Sequence, residues 1–97
     1  MNMRKLLKQA EEMQAKVQRE LGETFTEATV GGGMVTVKMN GHKHLLAVKI
    51  DPEAIDPEDV GMLEDLIVAA VNEASRKIDD LLRHRVGSLA ASLPNFL

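Results

Sequence analysis

Met34-Val35-Thr36-Val37-Lys38-Met39-Asn40-Gly41-His42-Lys43-His44-Leu45-Leu46-Ala47-Val48-Lys49-Ile50 is the stretch on which the fold turns. Its first part alternates, with Val35, Val37 and Met39 on one face; its last part, from Lys43, sets Leu46, Val48 and Ile50 on one face. Period-two alternation marks strands with one buried side. Between them stands Asn40-Gly41, whose residues both tolerate positive φ, the strongest short hairpin signal. A two-residue turn pairs Met39 with His42, Val37 with His44 and Val35 with Leu46. Cross-strand partners share a face, so Val35 and Val37 join Leu46, Val48 and Ile50 on one apolar surface.

Upstream, Gly31-Gly32-Gly33 reads as a flexible link to another strand, Glu23–Val30, rich in Thr and Val. Before it, Met3, Leu6, Ala10, Met13 and Val17 recur at three-four spacing, which predicts an amphipathic helix from Met3 to Leu21 with Gly22 at its end. Downstream, Asp56-Pro57-Glu58-Asp59 combines an Asp cap, Pro at the first helical position and acids in the first turn. Helical periodicity then runs to about Ala91. The expected class is α+β: helix, three-stranded antiparallel sheet, long helix. One domain spans residues 1–92, and Leu93-Pro94-Asn95-Phe96-Leu97 reads as a flexible tail.

The chain has 97 residues and no cysteine, which excludes disulfides and thiolate metal sites. The basic amino terminus opens into no apolar run, so no signal peptide is read, and no stretch approaches the roughly 20 apolar residues of a membrane span. The expected place is the cytoplasm. Net charge is −3, yet residues 51–65 hold seven acids (Asp51, Glu53, Asp56, Glu58, Asp59, Glu64, Asp65) and no base, leaving the rest of the chain at +4. Such segregation lets an acidic protein present a basic surface.

A chain this short makes a marginal core. The second helix, at 1.5 Å per residue, is on the order of 50 Å long, against a radius of gyration of about 13 Å for a compact domain of this size. It must project beyond any core that three short strands build. Residues 60–71 are apolar nearly all round, so they need a second covering surface, and a symmetric copy is the simplest source. Val60, Leu63, Leu66, Ile67, Ala70 and Val71 are the expected dimer contacts. Beyond Asn72 the apolar set thins to one stripe, able to lie antiparallel against the first helix as a helical arm.

The arm carries the bases: Arg4, Lys5, Lys8, Lys16 and Arg19 on the first helix, and Arg76, Lys77, Arg83 and Arg85 on the second. Antiparallel packing is expected to bring Arg4, Lys5 and Lys8 near Arg83 and Arg85 at the tip. Two such arms would offer two basic prongs to a phosphate backbone. Lys8 with Glu12, Glu12 with Lys16, Glu73 with Lys77 and Asp79 with Arg83 also have i,i+4 spacing, so helix pairing competes for the same charges. His42 and His44 share a strand face, but a metal site needs three or four ligands and none converges. Gly31-Gly32-Gly33 lacks the Lys-Ser/Thr and helix of a phosphate loop. Ser75, Ser88 and Ser92 stand in no nucleophile motif. Phe25 and Phe96 are the only aromatics, too few for a stacking platform for single strands. No enzyme, metal or cofactor is therefore expected.

Leu6-Leu7-Lys8-Gln9-Ala10-Glu11-Glu12-Met13-Gln14, Gly33 to Gly41, Val48-Lys49-Ile50-Asp51-Pro52 and Met62-Leu63-Glu64-Asp65-Leu66-Ile67-Val68-Ala69-Ala70-Val71-Asn72-Glu73-Ala74 stand in an order that resembles the YbaB/EbfC family of bacterial nucleoid-associated proteins. The resemblance implies a tweezer-like homodimer that binds duplex DNA through its helical arms. It also implies roles in nucleoid organisation and gene regulation, and recombination or repair proteins as partners. The chain departs from a strongly basic arm by keeping Asp79 and Asp80 there. An alternative is a dimeric adaptor whose heptad faces bind such a partner protein.

Overall fold

The computed structural model describes residues 2–92, so the expected tail at 93–97 lies outside the described residues. Helix α1 (Met3–Glu23) leads into strands β1 (Phe25–Val30), β2 (Val35–Asn40) and β3 (Leu45–Ile50), then a 3-10 turn (Pro52–Ala54) and helix α2 (Val60–Ser92). The sheet is antiparallel in the order β1-β2-β3. Among the described residues no helix is long and apolar enough to cross a membrane.

Asn2 caps α1, its Oδ1 accepting from the Arg4 and Lys5 amides at 3.0 and 3.4 Å. Gly22 does not end the helix. It runs on to Glu23, and Thr24 closes it by donating both its amide (2.9 Å) and its hydroxyl (2.8 Å) to the Glu20 carbonyl. The start of α2 also differs from expectation. Asp56 is occupied by a local turn, accepting from the Glu58 amide at 2.9 Å. The helix begins three residues later, where Asp59 Oδ1 accepts from the Met62 amide at 3.2 Å. Both Asp side chains suit either role, and the turn takes the first.

The hairpin register is the main correction. Val35 pairs with Ile50 and Val37 with Val48, four positions beyond the expected partners, with a bulge that brings Leu45 opposite Met39. The loop from Gly41 to His44 is longer than an Asn-Gly turn because the Asn40 side chain organises it, accepting from the His42 and His44 amides at 2.9 and 3.0 Å. His44 consequently stands exposed in the loop, not opposite Val37. A shift of four is even, so Val48 and Ile50 keep their expected facing, while beyond the bulge Leu45, expected on the other side, stands opposite Met39. The β1–β2 connection is a turn in which Gly31, Gly32 and Gly33 all take positive φ (65°, 67°, 97°). At Gly31 a Cβ would also stand 2.8 Å from Leu66 Cδ2, so glycine is needed there twice over.

One sheet face carries the core: Ala28 on β1 and Val35, Val37 and Met39 on β2, covered by Ala70, Ala74 and Ile78 of α2. The alanines at Ala28, Ala70 and Ala74 keep helix and sheet close. Leu63, Leu66, Ile67, Val71 and Leu82 flank this contact. Helix α2 lies mainly across β1 and β2. Lys77 Nζ donates to the Glu27 carbonyl on β1 at 3.0 Å, and Lys43 Nζ meets Asp79 at 2.7 Å across the β2–β3 loop. Strand β3 keeps its apolar side chains open, with Leu46 49% and Val48 44% exposed. The molecule extends 69 × 26 × 15 Å with a radius of gyration of 19.3 Å, as the long projecting helices require.

Candidate nucleic-acid interface

Helix α1 buries no residue. It meets the rest of the chain at the end of β2 and beside the outer half of α2, where Met13, Val17 and Leu21 face Leu82 and Val86 across a groove of about 480 Å³ with Lys16, Glu20 and Arg85 on its rim. The expected arm of two closely packed stripes is therefore a prong and a rod that approach at their base. Met3, at 67% exposure, shows how open the far end is.

This geometry separates the cations expected at one tip. Arg85 lies at the base, its Nη2 3.4 Å from the Thr24 hydroxyl at the foot of α1. Arg4 stands twenty residues up the same helix, about 30 Å away at 1.5 Å per residue. Arg83 and Arg85 are thus level with the inner half of α1, where Lys16 and Arg19 stand, and not with Arg4, Lys5 and Lys8. The offset arises because α1 is tied to the sheet at its last turn, which puts its carboxyl end beside residues 82–86.

The two groups also differ electrically. On α2, Arg76 donates to both Glu73 oxygens (2.6 and 3.1 Å) and to Asp80 (2.7 Å), and Arg83 reaches Asp80 at 3.2 Å. The Arg76 hydrogen bond holds the Glu73 carboxyl below its ordinary range, and Glu73 raises Arg76 in turn. The expected Glu73–Lys77 and Asp79–Arg83 pairs are replaced: Lys77 turns to the Glu27 carbonyl and Asp79 to Lys43. On α1, by contrast, no ion pair among the described residues engages Arg4, Lys5, Lys8, Lys16 or Arg19. The first acid after Lys8 is Glu11, so residues 3–10 carry three cations and no carboxylate.

The bare face of the sheet adds cations that the sequence reading passed over. Lys38 lies with its Nζ 4.1 Å from the centroid of the Phe25 ring, and Lys49 stands near Thr36 and Ala47. Strand alternation would have assigned both to the side away from Val37 and Val48. His42 is held by the Gln18 carbonyl at 3.0 Å, and no group of three potential metal ligands gathers among the described residues.

Of the expected dimer contacts, Ala70 is wholly buried by the chain's own sheet, while Leu63, Leu66, Ile67 and Val71 are half-buried against the same core. Val60 and Val68 are exposed. The uncovered apolar surface is therefore shared between α2 and β3.

Comparison with known proteins agrees with this architecture. The YbaB/EbfC DNA-binding family matches residues 1–93. A nucleoid-associated protein of Chloroflexus aurantiacus is 48% identical over 96 residues, covering 96% of each chain. One of Pelotomaculum thermopropionicum is 46% identical over 95 residues, covering 95% of this chain and 90% of that one. The crystal structure of an uncharacterized protein from Helicobacter pylori superposes with a TM-score of 0.72 at 20% identity, covering 93% of this chain and 98% of that one, a likeness of fold. With the helix–sheet–helix order, the open prong and a match along almost its whole length, this chain belongs to the YbaB/EbfC DNA-binding family.

Proposed function

We propose that this protein is a non-enzymatic nucleoid component of the cytoplasm that binds duplex DNA as a homodimer, influencing nucleoid organisation and gene expression. The carrying observation is α1: a helix with no buried residue, whose outer turns bear Arg4, Lys5 and Lys8 free of carboxylate partners among the described residues. Lys16 and Arg19 continue the cationic run inward. Contacts of this kind go to phosphates, so binding is largely sequence-tolerant. The half-exposed Leu46 and Val48 of β3, with Val60 and Val68 of α2, form the surface that a second copy covers, and Ile67 and Val71 border it. Two copies supply two prongs.

The test is a salt titration of duplex binding. Replacing Arg4, Lys5 and Lys8 by Ala should flatten the slope of log affinity against log salt by about 0.9 per lost contact, hence by about 5 for six cations on two prongs. Replacing Arg83 and Arg85, at the base, should change it far less. A triple variant with wild-type affinity and slope would refute the assignment of contact to the prongs.

A second reading, a protein adaptor for recombination or repair factors, is favoured by the apolar groove of Met13, Val17, Leu21, Leu82 and Val86. It predicts no duplex binding at about 50 mM salt, where phosphate contacts are strong.

A further inference from the structure

The hydrogen bonds that attach the prong to the sheet converge on one loop. The Gly41 amide donates to the Leu21 carbonyl at 2.9 Å and to the Thr24 carbonyl at 2.9 Å. His42 Nε2 lies 3.0 Å from the Gln18 carbonyl, so its Nε2–H tautomer donates there. The carbonyl end of a helix accepts such donors readily. The approach is close: a Cβ on Gly41 would stand 2.6 Å from the Leu21 carbonyl oxygen, and one on Gly22 would sit 3.7 Å from the His42 ring.

The loop that presents these donors is itself rigid. Buried Asn40 accepts from the His42 and His44 amides through its side chain and from the Lys43 amide through its carbonyl at 2.9 Å, with Lys43 at φ 64°. The rest of α1 is exposed and borders an open groove. This arrangement is a lever. Measured from Thr24, Gln18 lies about 9 Å along the helix and Arg4 about 30 Å. One ångström of slack at Gln18 becomes about 3 Å at Arg4, enough to break a phosphate contact.

We propose that His42 is a positioning residue that, by holding the Gln18 carbonyl, fixes the angle of the α1 prong and thereby its grip on duplex DNA. The DNA half of this proposal rests on the function proposed above; the latch itself does not. The experiment uses full-length, ¹⁵N-labelled protein in a weakly aligning medium, with residual dipolar couplings reporting helix orientation and a 30-base-pair duplex as the probe.

In the wild type, α1 couplings should fit the alignment of the sheet. In His42→Ala they should fall to about half or less while sheet couplings persist, and duplex affinity should drop about three- to tenfold, the range for one lost hydrogen bond acting on a competent population. His42→Gln, whose amide reaches as Nε2 does, should restore both readouts. His42→Asn, which is shorter, should not. Unchanged α1 couplings in His42→Ala and His42→Asn, or no rescue by Gln, would overturn the latch. A loosened prong with undiminished affinity would overturn its role in binding. If the wild type binds no duplex, the DNA reading fails while the couplings still decide the latch.

Discussion

Leu46 and Val48 on β3 are large apolar side chains that the chain itself covers only by half, and replacing both by Ser tests what covers the remainder. Complete burial of a Leu or Val stabilises by about 1.5–3 kcal/mol. With exposures of 49% and 44%, roughly 1 kcal/mol per side chain is left for another surface to supply. Two side chains on each of two copies amount to about 4 kcal/mol of association, or about a thousandfold in the dimer dissociation constant. Sedimentation equilibrium from nanomolar to micromolar protein measures it. The wild type should sediment as twice 10.7 kDa, and the double variant as the monomer. A urea midpoint taken at low concentration should scarcely differ from that of a wild-type monomer, because neither side chain belongs to the buried cluster. A dissociation constant within tenfold of wild type would refute the β3 surface, and a wild-type monomer at micromolar concentration would refute the dimer itself.

Ile78→Ala should destabilise the fold by about 2–5 kcal/mol in urea denaturation, since Ile78 is wholly buried between α2 and the sheet. Gly31→Ala should cost about 1–3 kcal/mol in the same assay, because the new Cβ meets Leu66 at 2.8 Å in a backbone with φ 65°. Arg76→Gln should raise the Glu73 carboxyl toward its ordinary value in an NMR pH titration, because the Arg76 hydrogen bond is the main cause of its depression. A depressed carboxylate favours the fold above its unfolded-state pKa, and that contribution disappears as pH falls through the lowered native value. The same variant should leave duplex affinity within about twofold, since Arg76 is engaged by Glu73 and Asp80.

The strands and their facing were legible because period-two alternation is a local property, and Val35, Val37, Val48 and Ile50 do share a face. Their register was not, because Asn40-Gly41 is used by a distant element: Asn40 builds the loop and Gly41 docks α1. The same tertiary demand explains the prong. Apolar spacing on α1 announced a stripe, but only the docking at Leu21 decides where along α2 that stripe is offered. Basic residues were legible one by one. Which remain available was not, because Arg76 and Arg83 take i,i+3 and i,i+4 partners while Lys77 leaves its helix for the sheet. Because α2 lies mainly over β1 and β2, the sheet's exposed apolar side chains fall on β3, which no local pattern announced.

The ammonium of Lys77 on the Glu27 carbonyl has a meaning for which edge another strand can join. A three-stranded sheet ends in two edges, and each unprotected edge is an invitation to another strand. Here the β1 side is crossed by α2 and plugged by Lys77, whereas β3 is open. Pairing of another strand with β1 is therefore hindered at Glu27, and β3 is the freer edge. A pair formed along β3, as proposed above, would use up the more open of the two rims.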